Sequence, residues 1–129
     1  MQHTGYEKFE QWADAALAVP IPESVVAYNF NIAETSESFV VEIIGSPVFD
    51  AEDSDWACEE EFVARDPMFE LPYAEVGEDW EPVLEQVRTF AVQYVAESPN
   101  GGQRLRNSKG VGVGFVDGDV ILVGGQAIS

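Results

Sequence analysis

The feature that most limits the possible folds is a long amphipathic pattern at residues 80–96. Asp79 is suited to the N-cap of a helix, and Pro82 is tolerated in its first turn. Helical spacing puts the apolar side chains on a single stripe: Trp80, Val83, Leu84, Val87, Phe90, Ala91, Tyr94 and Val95. A helix with one apolar stripe needs an apolar surface to cover, so the flanking segments must supply the rest of a core.

The segments before this helix predict another helix and two strands. Residues 4–18 have helical apolar spacing, and Thr4 with Glu7 forms a capping box at the start. Residues 24–33 and 38–45 alternate between apolar and polar side chains, as half-buried strands do. Because only a short polar turn separates the two strands, we expect an antiparallel hairpin.

The segment between that hairpin and the helix leaves two alternatives open. Residues 56–64 fit either a third strand or a helical turn. Residues 65–79 contain two prolines and a glycine, so we expect a long ordered loop there.

Beyond the helix, two apolar runs flank Asp117 and Gly118, a two-residue turn signal typical of a hairpin. Pairing across this turn places Val113 opposite Leu122. Gly112 then lies on the other face of the hairpin.

Gly112 and Gly114 leave that face bare. Bare glycine positions let another element approach closely, and helix 80–96 is the neighbour that we expect. The spacing G-x-G-x-G differs from the dinucleotide fingerprint G-x-G-x-x-G and follows a loop, so we expect no nucleotide site.

The order of these elements predicts one α+β domain that covers residues 1–129. We expect an antiparallel sheet of about five strands with two helices on one face. The order along the chain is helix, two or three strands, helix and β-hairpin. A chain of 129 residues, 46% of them hydrophobic, is long enough to bury a core of its own.

The charge balance restricts the possible partners. The chain has 24 acidic and 6 basic residues, for a formal net charge of −18. Direct binding to nucleic acid or to an anionic membrane is disfavoured, because both depend on Lys and Arg. A basic protein partner is favoured.

The expected location is the cytoplasm. The first ten residues lack a basic region followed by an apolar run, so we expect no signal peptide. No apolar run approaches the roughly 20 residues that a membrane helix needs. With one cysteine, no disulfide can form within the chain.

The acids are concentrated in residues 50–61, DAEDSDWACEEE, called the acidic segment below. From residue 50 to residue 81 there are 13 acids and one base, Arg65. Trp56 lies inside the acidic segment, where it is either an anchor for a partner or a core residue with the acids around it. The candidate partner-binding residues are Asp50, Glu52, Asp53, Asp55, Trp56, Glu59, Glu60 and Glu61.

The chain has few residues suited to nucleophilic catalysis, so we expect that the protein is not an enzyme. His3 is the one histidine and lies near a terminus, while Cys58 lies among acids that disfavour the reactive thiolate. A buried structural thiol is the expectation for Cys58. The acids are so numerous that a pair of carboxylates at any given spacing is no sign of acid–base chemistry.

We expect neither a metal nor another cofactor. Zinc needs more Cys and His than this chain contains. The spacing of Asp50, Glu52, Ser54 and Glu61 partly matches a calcium loop, but Asp55 stands where the sharp turn needs glycine. Weak cation binding is the most that this pattern indicates.

The runs FVVEIIGSPVFDAEDSDWAC and DPMFELP, an amphipathic helix and GVGVGFVDGD together resemble small acidic bacterial immunity proteins of polymorphic-toxin systems. The resemblance lies in size, acidity, α+β layout and lack of catalytic residues. It implies a cytoplasmic inhibitor that binds a basic toxin, often a nuclease.

These observations favour an immunity-type inhibitor that uses the acidic segment to neutralise a basic cognate toxin. One alternative is a DNA mimic or anti-restriction protein that binds a nucleic-acid-processing enzyme. Another is a non-catalytic adaptor domain with a solubilising surface. The bases Arg104, Arg106 and Lys109 are the one internal group that would compete for the acidic segment.

Overall fold

A computed structural model describes residues 4–116 and 118–126, apart from the side chains of residues 4 and 65–67. The first half contains α1 (Thr4–Ala16), β1 (Ala27–Glu34), β2 (Ser38–Ser46), a short 3₁₀-helix (Ser54–Cys58) and β3 (Phe62–Pro72). The second half contains α2 (Tyr73–Val76), α3 (Trp80–Glu97), α4 (Gly101–Arg106), β4 (Gly110–Phe115) and β5 (Ile121–Gly124). The predicted helices at 4–18 and 80–96 and the predicted strands at 24–33 and 38–45 are therefore confirmed.

The described strands form one mixed sheet in the order β3-β2-β1-β4-β5. The α+β class and the antiparallel β1–β2 hairpin are confirmed. The fully antiparallel sheet is wrong, because β1 and β4 are parallel. The cause is the connection between the strands. Helix α3 returns the chain to the end of the sheet at which β3 starts, so β4 runs in the same direction as β3 and β1.

The main core lies between one face of this sheet and helices α1, α3 and α4. Phe9 of α1 is fully buried, and its ring contacts those of Phe30 in β1, Phe69 in β3 and Tyr94 in α3. Burying such a side chain contributes about 1.5–3 kcal/mol. None of the helices in the described ranges is long and apolar enough to cross a membrane.

Strand β3 runs through much of the segment where we expected a long loop, so that expectation is wrong for residues 65–72. β3 is an edge strand, and an edge strand tolerates Pro67, which lacks an N–H donor. The irregular register also hides the strand: Val41 pairs with Phe69, while Ile43, two residues on, pairs with Ala64. The bulge breaks the alternation by which a strand is recognised.

Helix α4 was not predicted, because Gly101 and Gly102 at its start are poor helix formers. It carries Arg104 and Arg106, two of the three bases that could have paired with the acidic segment. Arg106 Nη1 donates to the backbone oxygens of Val95 and Ser98 (3.1 Å to Ser98) at the end of α3. This residue is therefore occupied in closing a helix terminus.

The β4–β5 hairpin forms, but the predicted register is wrong. Val113 pairs with Ile121 instead of Leu122, and Gly112 pairs with Leu122. The segment between the strands is longer than the two-residue turn we expected, since β5 begins at Ile121. Asp117, half of that turn, lies outside the described residues.

The glycine face of β4 is covered by loops, so the expectation that α3 covers it is wrong. A β-carbon on Gly110 would lie 2.2 Å from the Phe49 ring, and one on Gly114 would lie 2.5 Å from the backbone oxygen of Asp119. Strands β1 and β2, which the sequence predicted to be half-buried, are buried on this face as well. Asn29, Asn31 and Glu42 are among the buried polar residues there.

Candidate protein-binding surface

The acidic segment connects β2 to β3 and contains the 3₁₀-helix Ser54–Cys58, which follows a turn at residues 51–52. Each of the two structures considered for residues 56–64 holds for part of that range, because the 3₁₀-helix ends at Cys58 and the strand begins at Phe62. Asp50 accepts the backbone N–H of Glu52 (2.9 Å), and Asp53 accepts that of Asp55 (3.0 Å). Such Asx turns are the local reason why this run of aspartates folds into turns.

Trp56 is a core residue, which decides between the alternatives left open by the sequence. Its side chain is only 4% exposed and packs with Ala27 and Ala57. The centroids of the Trp56 and Phe49 rings are 5.1 Å apart. Trp56 therefore fastens the acidic segment to the sheet and cannot serve as an exposed anchor.

Two further contacts tie the acidic segment to the strands. Ser54 Oγ accepts the backbone N–H of Val120 in the β4–β5 loop (3.1 Å). The N–H of Glu61 donates to the carbonyl of Gly45 at the end of β2 (2.8 Å). The backbone of the segment is thus held at its middle and at its end.

The acidic residues on this fixed backbone are exposed to solvent. The exposed residues are Asp50, Glu52, Asp53, Asp55, Glu59, Glu60 and Glu61. Within the described ranges, Arg104, Arg106 and Lys109 make no ion pair with them. The internal competition considered from the sequence is therefore not seen in this part of the chain.

A cleft of about 180 Å³ lies inside this surface and is called the acidic cleft below. It is lined by Val48, Phe49, Asp50, Asp53, Asp55, Trp56 and Glu59. Sequence reasoning missed Val48 and Phe49, although they precede the first aspartate directly. Val48 is 48% exposed, which is a large apolar exposure beside carboxylates.

Other chemistry finds little support near the acidic segment. Cys58 is exposed, so the expected buried thiol is wrong; the residue falls at the end of the 3₁₀-helix, outside the cluster around Trp56. Within the described ranges, no three His, Cys, Asp or Glu side chains are grouped so that they could hold a metal ion. His3 lies outside the described residues.

A second polar cluster joins three helices on the opposite face of the sheet. Asp14 of α1 accepts hydrogen bonds from Tyr94 Oη (2.6 Å), Ser98 Oγ (3.3 Å) and the N–H of Gly101 (3.3 Å). Burial, and then the hydrogen bond to Asp14, raise the pKa of Tyr94 well above its usual range. The cluster closes helix ends and is structural.

Comparison with known proteins gave no match to a family model, to a curated protein or to a solved structure.

Proposed function

We propose that the protein is an immunity-type inhibitor that binds a basic toxin and covers its active site with the acidic segment. The acidic cleft is the observation that carries this proposal. Four acidic residues, Asp50, Asp53, Asp55 and Glu59, are among those that line the cleft, together with the apolar Val48, Phe49 and Trp56.

The cleft matches the two parts of a lysine or arginine side chain. Such a side chain has an apolar stem and a charged head. Val48 and Phe49 offer contact to the stem, while the carboxylates accept charge-assisted hydrogen bonds from the head. A basic residue of the toxin would therefore be held by both kinds of contact.

The fixed backbone supports binding because little order has to be imposed when a partner arrives. Trp56 is buried and Ser54 is bonded to the β4–β5 loop before any contact is made. Ordering a flexible loop at an interface costs free energy, which a pre-ordered segment avoids.

The net charge of −18 supports the proposal at longer range. A field of one sign attracts a partner of the opposite sign and speeds encounter. Nucleic acid, the usual substrate of a basic nuclease, carries the same sign as this protein and would compete for the same toxin surface.

The test is binding to a basic toxin encoded beside this protein, measured by co-purification and by protection from the toxin. Reversing Asp53, Asp55 and Glu59 to lysine should abolish both. The matched control reverses three exposed acids on the helices: Glu7, Glu85 and Glu97. The control changes the net charge equally and should keep binding; equal behaviour of the two variants would contradict the role of the acidic segment.

A further inference from the structure

Trp80, the first residue of α3, is exposed where the other tryptophans are not. Its side chain is 51% exposed, whereas Trp56 is buried and Trp12 is half-buried. Val116, which follows the half-buried Phe115, is 58% exposed. A tryptophan exposed to this extent beside an aromatic neighbour is a candidate contact for a partner.

The exposed indole of Trp80 packs against residues at the border of the main core. Trp80 packs edge-on against Phe115 with ring centroids 6.1 Å apart. Phe115 contacts Phe39 at 6.0 Å, and Phe39 contacts Tyr73 at 5.1 Å. The row of rings crosses one end of the sheet, so Trp80 is presented from a supported position.

Carboxylates surround this end of the molecule. Asp79 and Glu81 flank Trp80 in the chain, and both are exposed. Desolvation, followed by the charges of Glu34 and Glu78, raises the pKa of Tyr73, which places both acids near the row of rings. The segments that carry these residues, 34–39, 72–81 and 115–116, contain no Lys or Arg.

The Trp80 end lies far from the acidic cleft. Phe39, the second residue of β2, lies beside it, and β2 ends at Ser46, just before the cleft. Seven residues of strand span roughly 23 Å. One side chain of a partner cannot reach both places, so the two surfaces are separate contacts.

A cationic occupant fits the Trp80 end best. The face of tryptophan attracts Arg and Lys, and carboxylates around an aromatic residue favour the same charge. A second copy of this chain would bring a similar set of carboxylates against the first, which is repulsive. An anionic membrane is disfavoured for the same reason.

We propose that Trp80 and Phe115, with Glu78, Asp79 and Glu81, form a second docking surface for an arginine- or lysine-bearing segment of the protein partner. This inference rests on the proposed function, in which the partner is basic. It assigns to Trp80 the aromatic role that the sequence offered to Trp56.

The test uses a capped eight-residue peptide of alternating Arg and Gly, titrated into ¹⁵N-labelled protein. The indole N–H of Trp80 and the amides of residues 78–81 and 115–116 should shift. Trp80→Ala should weaken binding at this surface about two- to fivefold, as expected for an exposed cation–π contact. Trp80→Phe should keep part of the affinity, because an aromatic face remains.

Val92→Ala is the matched control, since Val92 is an exposed apolar residue of the same helix (41%). It should leave the affinity unchanged. Shifts confined to residues 48–61, with no effect of Trp80→Ala, would overturn this inference and leave the proposed function standing. Shifts at neither surface would overturn both, and concentration-dependent shifts at Trp80 without peptide would assign the surface to self-association instead.

Discussion

At the scale of single residues, burial separates the roles of two tryptophans with similar neighbours. Trp56 and Trp80 both stand among acids in the sequence, and only the fold shows that Trp56 is 4% exposed and Trp80 51% exposed. The acidic residues and Trp56 of the acidic cleft were predictable from the sequence, but Val48 and Phe49 were not. Local pattern alone could not show which side chains the sheet would cover.

Gly114 offers a test of how closely the β4–β5 loop covers the sheet. A β-carbon there would lie 2.5 Å from the backbone oxygen of Asp119, and backbone cannot move aside as cheaply as a side chain. Gly114→Ala should therefore lower the free energy of unfolding by about 1–3 kcal/mol.

Gly118→Ala is the matched control for this substitution, because the nearest atom to its new β-carbon is 3.7 Å away. Its effect should stay within about 0.5 kcal/mol. Urea unfolding of both variants measures the difference. Equal stabilities would mean that the loop does not lie on the glycine face.

At the scale of elements, periodic segments were predictable and interrupted ones were not. α3 and the β1–β2 hairpin follow from apolar spacing alone. β3 is broken by a bulge around residues 65–68, and α4 begins with two glycines, so neither has a regular pattern. The parallel pairing of β4 with β1 depends on where α3 returns the chain, which is a property of the whole fold.

The Tyr94 hydroxyl joins α3 to α1 through Asp14, so removing this hydroxyl should weaken the packing of the two helices. Tyr94→Phe loses the hydrogen bond to the Asp14 carboxylate and should cost about 1.5–3 kcal/mol at pH 7. The control is Tyr73→Phe, whose hydroxyl donates to the Thr35 carbonyl at an exposed site. That variant should lose less, as measured by chemical denaturation.

The same tyrosine predicts a loss of stability in alkali. The folded state raises the pKa of Tyr94 above its usual 10.0, so the folded protein keeps a proton that the unfolded chain loses. The contribution of Tyr94 to the free energy of unfolding should be fully present below pH 10 and should be lost as the pH rises above 10. Tyr94→Phe should flatten this decline, leaving a part from Tyr6, whose pKa burial and Glu10 raise to about 12. An unchanged pH dependence would contradict the buried position of the Tyr94 hydroxyl.

At the scale of the whole molecule, the two faces of the sheet are covered by different kinds of structure. Helices α1, α3 and α4 cover one face and form the main core. The other face is covered by the acidic segment and the β4–β5 loop, which contact each other through Ser54 and Val120. This arrangement leaves the acidic segment outermost on a supported layer, where a partner can reach it.

The most direct test of the proposed function is the salt dependence of affinity for the proposed basic toxin. Calorimetric titration at 50 and 500 mM NaCl should show the unmodified protein losing at least about tenfold in affinity, because salt screens the attraction between exposed charges. The variant with Asp53, Asp55 and Glu59 reversed to lysine should bind far more weakly. If the affinity and its salt dependence were the same for both proteins, the acidic segment would not be the surface that binds the toxin.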